Sequence, residues 1–136
     1  MKINQDYLKS LLNTFLESER PFAEIDDFQK MGLKIDDRFL FHMQILEDQK
    51  IIERFDKEQD IGLGYSIAGS GVFQWIGTPL RLTANGHEFT DALNKTEVWE
   101  FIKTEFKDAS VGTLCRVGKE MLGAFAKKQI KKYLEE

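Results

Sequence analysis

The sequence predicts an α+β fold, mainly α, and two observations carry that expectation. Apolar residues recur at helical spacing up to about residue 50, switch to short glycine-punctuated runs, and return to helical spacing at a threonine. With 136 residues, 42% apolar and 12% aromatic, the chain has enough large side chains, eleven Phe among them, to fill one core. Such a composition is not that of a disordered segment.

The first helix is predicted from about Asn4 to Ser18, with Leu8, Leu11, Leu12, Phe15 and Leu16 on one face and Lys9, Asn13 and Glu17 opposite. Pro21 stops it, because the residue before a proline is pushed out of the helical region. A short helix near Glu24–Lys30 follows, with Ile25, Phe28 and Met31 inward and Gly32 in the left-handed cap position. Asp36 is a natural N-cap for a third helix over Asp37–Gln49. Its apolar set, Phe39, Leu40, Phe41, Met43, Ile45 and Leu46, wraps further round than one stripe. A helix apolar on most sides is deeply buried or partly reserved for a partner.

From Ile51 the period changes. Ile51–Phe55 reads as a strand, Asp56–Asp60 as a polar excursion, and Gly62–Gly77 as one or two hairpin strands of open register. Leu80–Leu82 is a further strand after Pro79. Thr83 caps the next helix, whose inward face carries Phe89, Ala92 and Leu93, and Gly86 in its first turn permits close approach to a neighbour. Thr96 is read as a second N-cap, opening a helix with Val98, Trp99, Phe101, Ile102 and Phe106. A last helix spans Val111–Leu134.

Three helices, a hairpin, a strand ending in L-T-x-x-G and a further helix is the order of a winged helix-turn-helix core with a β-hairpin wing and additional C-terminal helices. A generic α+β domain of the same element order is the alternative. The expected organisation is a core over residues 1–95 and a C-terminal helical extension over 96–136 packed on the same domain.

The segment Arg81-Leu82-Thr83-Ala84-Asn85-Gly86-His87-Glu88-Phe89-Thr90-Asp91-Ala92-Leu93, with Val98-Trp99 after it, resembles the R-L-T-x-x-G-H-E-F hallmark of an uncharacterised bacterial and phage domain family of unknown function. Phe41–Leu46 and Ile51-Ile52 are similar to its H-x-x-x-L helix and the strand that follows. The resemblance is dense from Arg81 to Trp99 and loose before Ile35. It implies a winged-helix-like fold and occurrence in phages and mobile elements; the family has no established activity.

Catalytic and metal chemistry find no support in the residue pattern. His42 and His87 are isolated, and His87-Glu88 lacks the second histidine of a zinc-protease helix. His87 is read as a structural, hydrogen-bonding residue beside Thr83 and Gly86. Cys115, the one cysteine, is read as a small buried residue. The glycine pairs Gly62/Gly64 and Gly69/Gly71 lack the Gly-Lys-Ser/Thr of a phosphate cradle. No cofactor is expected, nor an enzyme. Met1–Asp6 is polar where a signal peptide needs an apolar stretch, and no apolar run reaches the ~20 residues of a membrane span, so the expected location is cytoplasmic.

What remains is binding. The third helix offers Asp36, Asp37, Arg38, Gln44, Glu47, Asp48 and Lys50, and the wing sets Arg54 and Lys57 among Asp56, Glu58 and Asp60. Acids there would repel the phosphates that a DNA-reading helix must approach. A protein partner is therefore expected at the third helix and wing, through Arg38, Phe41, Gln44 and Ile45. The net charge is −4, but residues 111–136 carry six basic and three acidic side chains, +3, leaving −7 for the rest. Lys127, Lys128, Lys131 and Lys132 are a solvated face of an amphipathic helix whose Leu114, Met121, Leu122, Phe125 and Ile130 pack inward. Alternatively they contact nucleic acid or a second copy, with Gly118, Gly123, Ala124 and Ala126 allowing a homodimer's helices to approach. A DNA-binding regulator using this tail, and an acidic phage inhibitor mimicking nucleic acid, are the alternatives to a protein-binding adaptor.

Overall fold

A computed structural model describes residues 1–58 and 62–135. The helices are α1 (Gln5–Glu17), α2 (Ile25–Lys30), α3 (Asp37–Asp48), α4 (Ala84–Leu93), α5 (Thr96–Glu105) and α6 (Val111–Leu134). The strands are β1 (Ile52–Arg54), β2 (Tyr65–Ile67), β3 (Phe73–Trp75) and β4 (Leu80–Leu82). The fold is α+β and mainly helical, with two small antiparallel sheets.

Local chemistry sets the helix ends. Asn4, Asp36, Thr83 and Ser110 each turn a side-chain oxygen onto a first-turn amide, satisfying a donor that the helix itself leaves unpaired. At α2 the cap is reciprocal: the Glu24 side chain takes the Asp27 amide while Asp27 Oδ2 accepts from the Glu24 N–H at 2.7 Å. Gly32 ends that segment at φ +82°. Thr96 is not the cap of α5. The Lys95 carbonyl already accepts from the Trp99 N–H at 3.0 Å, so the helical ladder starts one residue earlier.

The strands form a ribbon between α3 and α4. At its base β1 pairs with β4 in the register Ile52↔Leu82, Glu53↔Arg81 and Arg54↔Leu80, and Arg81 ion-pairs with Glu53 across the strands. Further out β2 pairs with β3, Tyr65↔Trp75 and Ile67↔Phe73. The tip closes through a Gly71 N–H to Ala68 O bond of 2.9 Å, and Gly71 takes φ +85°, the left-handed residue that a three-residue hairpin loop requires. Ala23, between α1 and α2, joins the base as a bridge: Ala23 and Leu80 exchange both backbone hydrogen bonds, at 2.8 and 2.9 Å.

One core runs through all layers. Leu8, Leu11, Phe28, Phe39, Met43, Leu46, Leu80, Phe89 and Leu93 share it with Val98, Ile102, Val111 and Leu114 from beyond residue 95. Phe15, Phe28 and Phe39 meet edge to face with centroids 5.4 and 5.1 Å apart, the arrangement that aromatic quadrupoles favour.

Three residues expected inward lie outward. Met31 is exposed at the end of a helix too short to carry it over the core, and Leu16 is half exposed on the last turn of α1. Ile130 is 59% exposed, because α6 outruns the body that it packs against: from Ala126 on, every described residue is exposed. Gly118 makes a close approach within the chain. A Cβ there would sit 3.2 Å from Ala92 Cβ, so the small residue serves the packing of α6 on α4.

Candidate interaction surface

The segment Arg81–Gly86 is a structural joint. The Thr83 hydroxyl donates to the Lys50 carbonyl at 2.6 Å and accepts from the Gly86 N–H at 3.0 Å, so one side chain caps α4 and ties it to the end of α3. Gly86 lies so near β1 that a Cβ would fall 2.1 Å from the Ile51 carbonyl oxygen. His87 departs from expectation. Its ring is exposed and makes no hydrogen bond among the described residues, because position 87 falls on the outward side of α4.

The histidine that the fold does employ is His42, fully buried in α3. Its Nε2 accepts from the Asn4 N–H at 3.0 Å and its Nδ1 donates to the Arg38 carbonyl at 2.8 Å, which fixes the neutral Nδ1–H tautomer. Burial lowers its pKa below the ordinary 6.5. This role depends on a contact 38 residues away in sequence.

The four residues expected to meet a partner all make contacts within the chain. Arg38 is exposed, yet its guanidinium lies 4.0 Å over the Tyr7 ring. Phe41 is half-buried, edge-on to His42 beside the N-terminus and the α5–α6 turn. Ile45 is half-buried against the core. Gln44 Nε2 donates to Tyr65 Oη at 2.7 Å and so links α3 to the ribbon. Neither Phe41 nor Ile45 is fully enclosed, so both retain some accessible surface.

At the ribbon's base Arg54 is locked. Its Nε and a terminal nitrogen donate to the two carboxylate oxygens of Asp56 at 3.0 and 2.8 Å, and the other terminal nitrogen reaches Thr78 Oγ1 at 3.3 Å. The bidentate guanidinium holds the Asp56 carboxyl down at about 2. Glu47 and Asp48 close α3 beside a cleft of about 600 Å³ that Lys50, Lys57 and Asn85 also line. Burial and the neighbouring Asp48 raise the Glu47 pKa. Asp60 of the expected acidic wing lies outside the described residues.

A signal in the ribbon was readable in the sequence but is not a motif. From Gly62 to Pro79, 18 consecutive residues include no charged side chain, although 31% of the chain is charged. Within this stretch Ile67, Val72 and Ile76 are 55%, 67% and 68% exposed. Tyr65 and Trp75 fold back onto α3, Trp75 meeting Phe39 edge to face at 5.3 Å. The distal ribbon therefore presents apolar side chains to solvent and carries no charge of its own.

On α6, Lys127, Lys128, Lys131 and Lys132 are all exposed, as are Gly123, Ala124 and Ala126. Cys115 is buried, its thiol pKa raised chiefly by burial, with Asn85 Oδ1 3.8 Å from the sulfur. Among the described residues no three His, Cys, Asp or Glu side chains gather as a metal site, and no helix is long and apolar enough to cross a membrane. Glu136 lies outside the described residues.

Compared with protein-family models, curated proteins and solved structures, the chain gives no match. Its class is that of an α+β, mainly helical protein with two small antiparallel sheets.

Proposed function

We propose that the chain is a non-enzymatic winged-helix binding module, acting as an adaptor that engages another protein through α3 and the ribbon. The winged-helix reading draws support from connectivity: α1, the Ala23 bridge, α2, α3, then β1 and β4 as the arms of a ribbon that ends in the β2–β3 wing. The single observation that carries the functional reading is the exposed, charge-free distal ribbon beside an acidic α3. Duplex DNA needs cations at that face. Of the three arginines on α3 and the ribbon, Arg54 is paired with Asp56, Arg81 with Glu53, and Arg38 is stacked on Tyr7. A protein surface instead gains from burying apolar area and edge backbone.

Two parallel measurements test this. Immobilised wild-type chain should retain a host protein that an Ile67→Asp/Val72→Asp variant of equal thermal stability loses. Titration of labelled mixed-sequence duplex should show no binding near micromolar protein. Tight, steeply salt-dependent duplex binding that vanishes on substituting Lys127, Lys128, Lys131 and Lys132 would falsify the reading and favour a DNA-binding tail.

A further inference from the structure

Among the described residues the distal ribbon has edges that pair with no other strand, and one of them suits a second copy of itself. Antiparallel pairing alternates residues whose backbone groups face the partner strand with residues whose groups face away. Ile76 N–H bonds to Gly64 O and Ala68 N–H to Val72 O, both at 2.8 Å, which makes 64/76 and 68/72 the hydrogen-bonded pairs. The same alternation assigns Ser66/Gln74 to that set. The amides and carbonyls of Phe73 and Trp75 therefore point outward, and no other described segment takes them.

Val72-Phe73-Gln74-Trp75-Ile76 is a run of strand formers with no charge and no proline. Proteins protect such edges with lysines, prolines or bulges, since an open one recruits other strands. This edge has none of those guards. Symmetry narrows the occupant. In a two-fold interface every side chain near the axis meets its own copy, so any charge there would face a like charge. A surface free of charge is what self-pairing requires, and in a chain of net charge −4 the ribbon provides it. An antiparallel β3–β3 pair is itself two-fold symmetric, so this edge is fully used at two copies.

We infer that the chain forms a homodimer by antiparallel β3–β3 pairing about Gln74, joining two ribbons into a four-stranded sheet. Phe73 then exchanges backbone bonds with Trp75 of the other copy. Gln74 meets Gln74 in the closely spaced, non-hydrogen-bonded position, where one neutral amide can donate to the other. The inference goes beyond the binding proposal and does not depend on it.

Sedimentation over a concentration series should show a reversible monomer–dimer equilibrium. Gln74→Lys, which opposes two like charges, should raise the dissociation constant about tenfold or more while leaving the unfolding transition of the monomer unchanged. In a Cys115→Ala background, Gln74→Cys should oxidise to a linked dimer, because the two Cα atoms would lie about 4.5 Å apart. Ser66→Cys should not, since three strand spacings, roughly 14 Å, would separate its copies. A chain that stays monomeric throughout, including one whose ribbon instead holds duplex DNA, overturns the inference. So does a dimer indifferent to Gln74→Lys but lost on Ile130→Lys/Tyr133→Lys, which would put the contact on α6. Equal cross-linking at positions 66 and 74 also overturns it. Retention of a host protein by the Gln74→Lys variant bears on the binding proposal alone.

Discussion

Single residues at the joint between α3, β1 and α4 carry sharply different sensitivities. Gly86→Ala forces a methyl group into the Ile51 carbonyl, and rigid backbone on both sides should make it cost about 1–3 kcal/mol or more in urea unfolding. Thr83→Ala should cost about 0.5–2 kcal/mol, with Thr83→Ser nearly neutral because the hydroxyl is what caps α4. His87→Ala, by contrast, should leave stability within about 0.5 kcal/mol, as its ring is exposed and bonds to nothing described. His42 supplies a pH signature. Its folded pKa lies below 6.5, so the unfolded chain binds the proton first as pH falls. The contribution of neutral His42 is complete above that pH and declines as acid is added below it. His42→Gln should flatten the slope of unfolding free energy against pH in that window, and an unchanged slope would assign the dependence elsewhere.

At the scale of elements, α6 is two helices in one. Its first half is pinned by Val111, Leu114 and Cys115, with Gly118 nested on Ala92, whereas Ile130, Tyr133 and Leu134 are 59%, 77% and 76% exposed. Leu114→Ala should therefore destabilise by about 2–5 kcal/mol. The double change Ile130→Ser/Tyr133→Ser should stay within about 0.5 kcal/mol, read by the same chemical denaturation. A large loss from the double change would mean that the distal turns rest on something, such as a second copy. The ribbon shows the converse division. Its base is fixed by Arg54, Asp56 and the Arg81–Glu53 pair, while its distal half carries no charge and, among the described residues, pairs with no further strand.

For the whole molecule, residues 1–95 and 96–136 are joined by one core rather than by a seam, since Val98, Ile102 and Leu114 lie in the same cluster as Phe89 and Leu93. The full chain should unfold in a single transition, with tryptophan fluorescence and far-ultraviolet dichroism coinciding. A fragment ending at residue 95 would expose the α4 face that α5 and α6 cover and should fail to show that transition. Two resolved transitions in the full chain would separate the extension from the core.

The sequence by itself determined the order of elements and most of their ends. Caps at Asp36 and Thr83, the left-handed Gly32 and the close-approach Gly86 act over one or two turns, or exclude a side chain outright, so residue identity is enough. Only tertiary structure decided the registers of the ribbon and the burial of His42. It also engaged Arg38 with Tyr7 and Gln44 with Tyr65, and left Ile130 in solvent while Leu114 is enclosed. Periodicity assigns a residue to a face of its own helix. Whether anything stands opposite that face depends on how far the neighbouring element reaches, and no local pattern encodes that length.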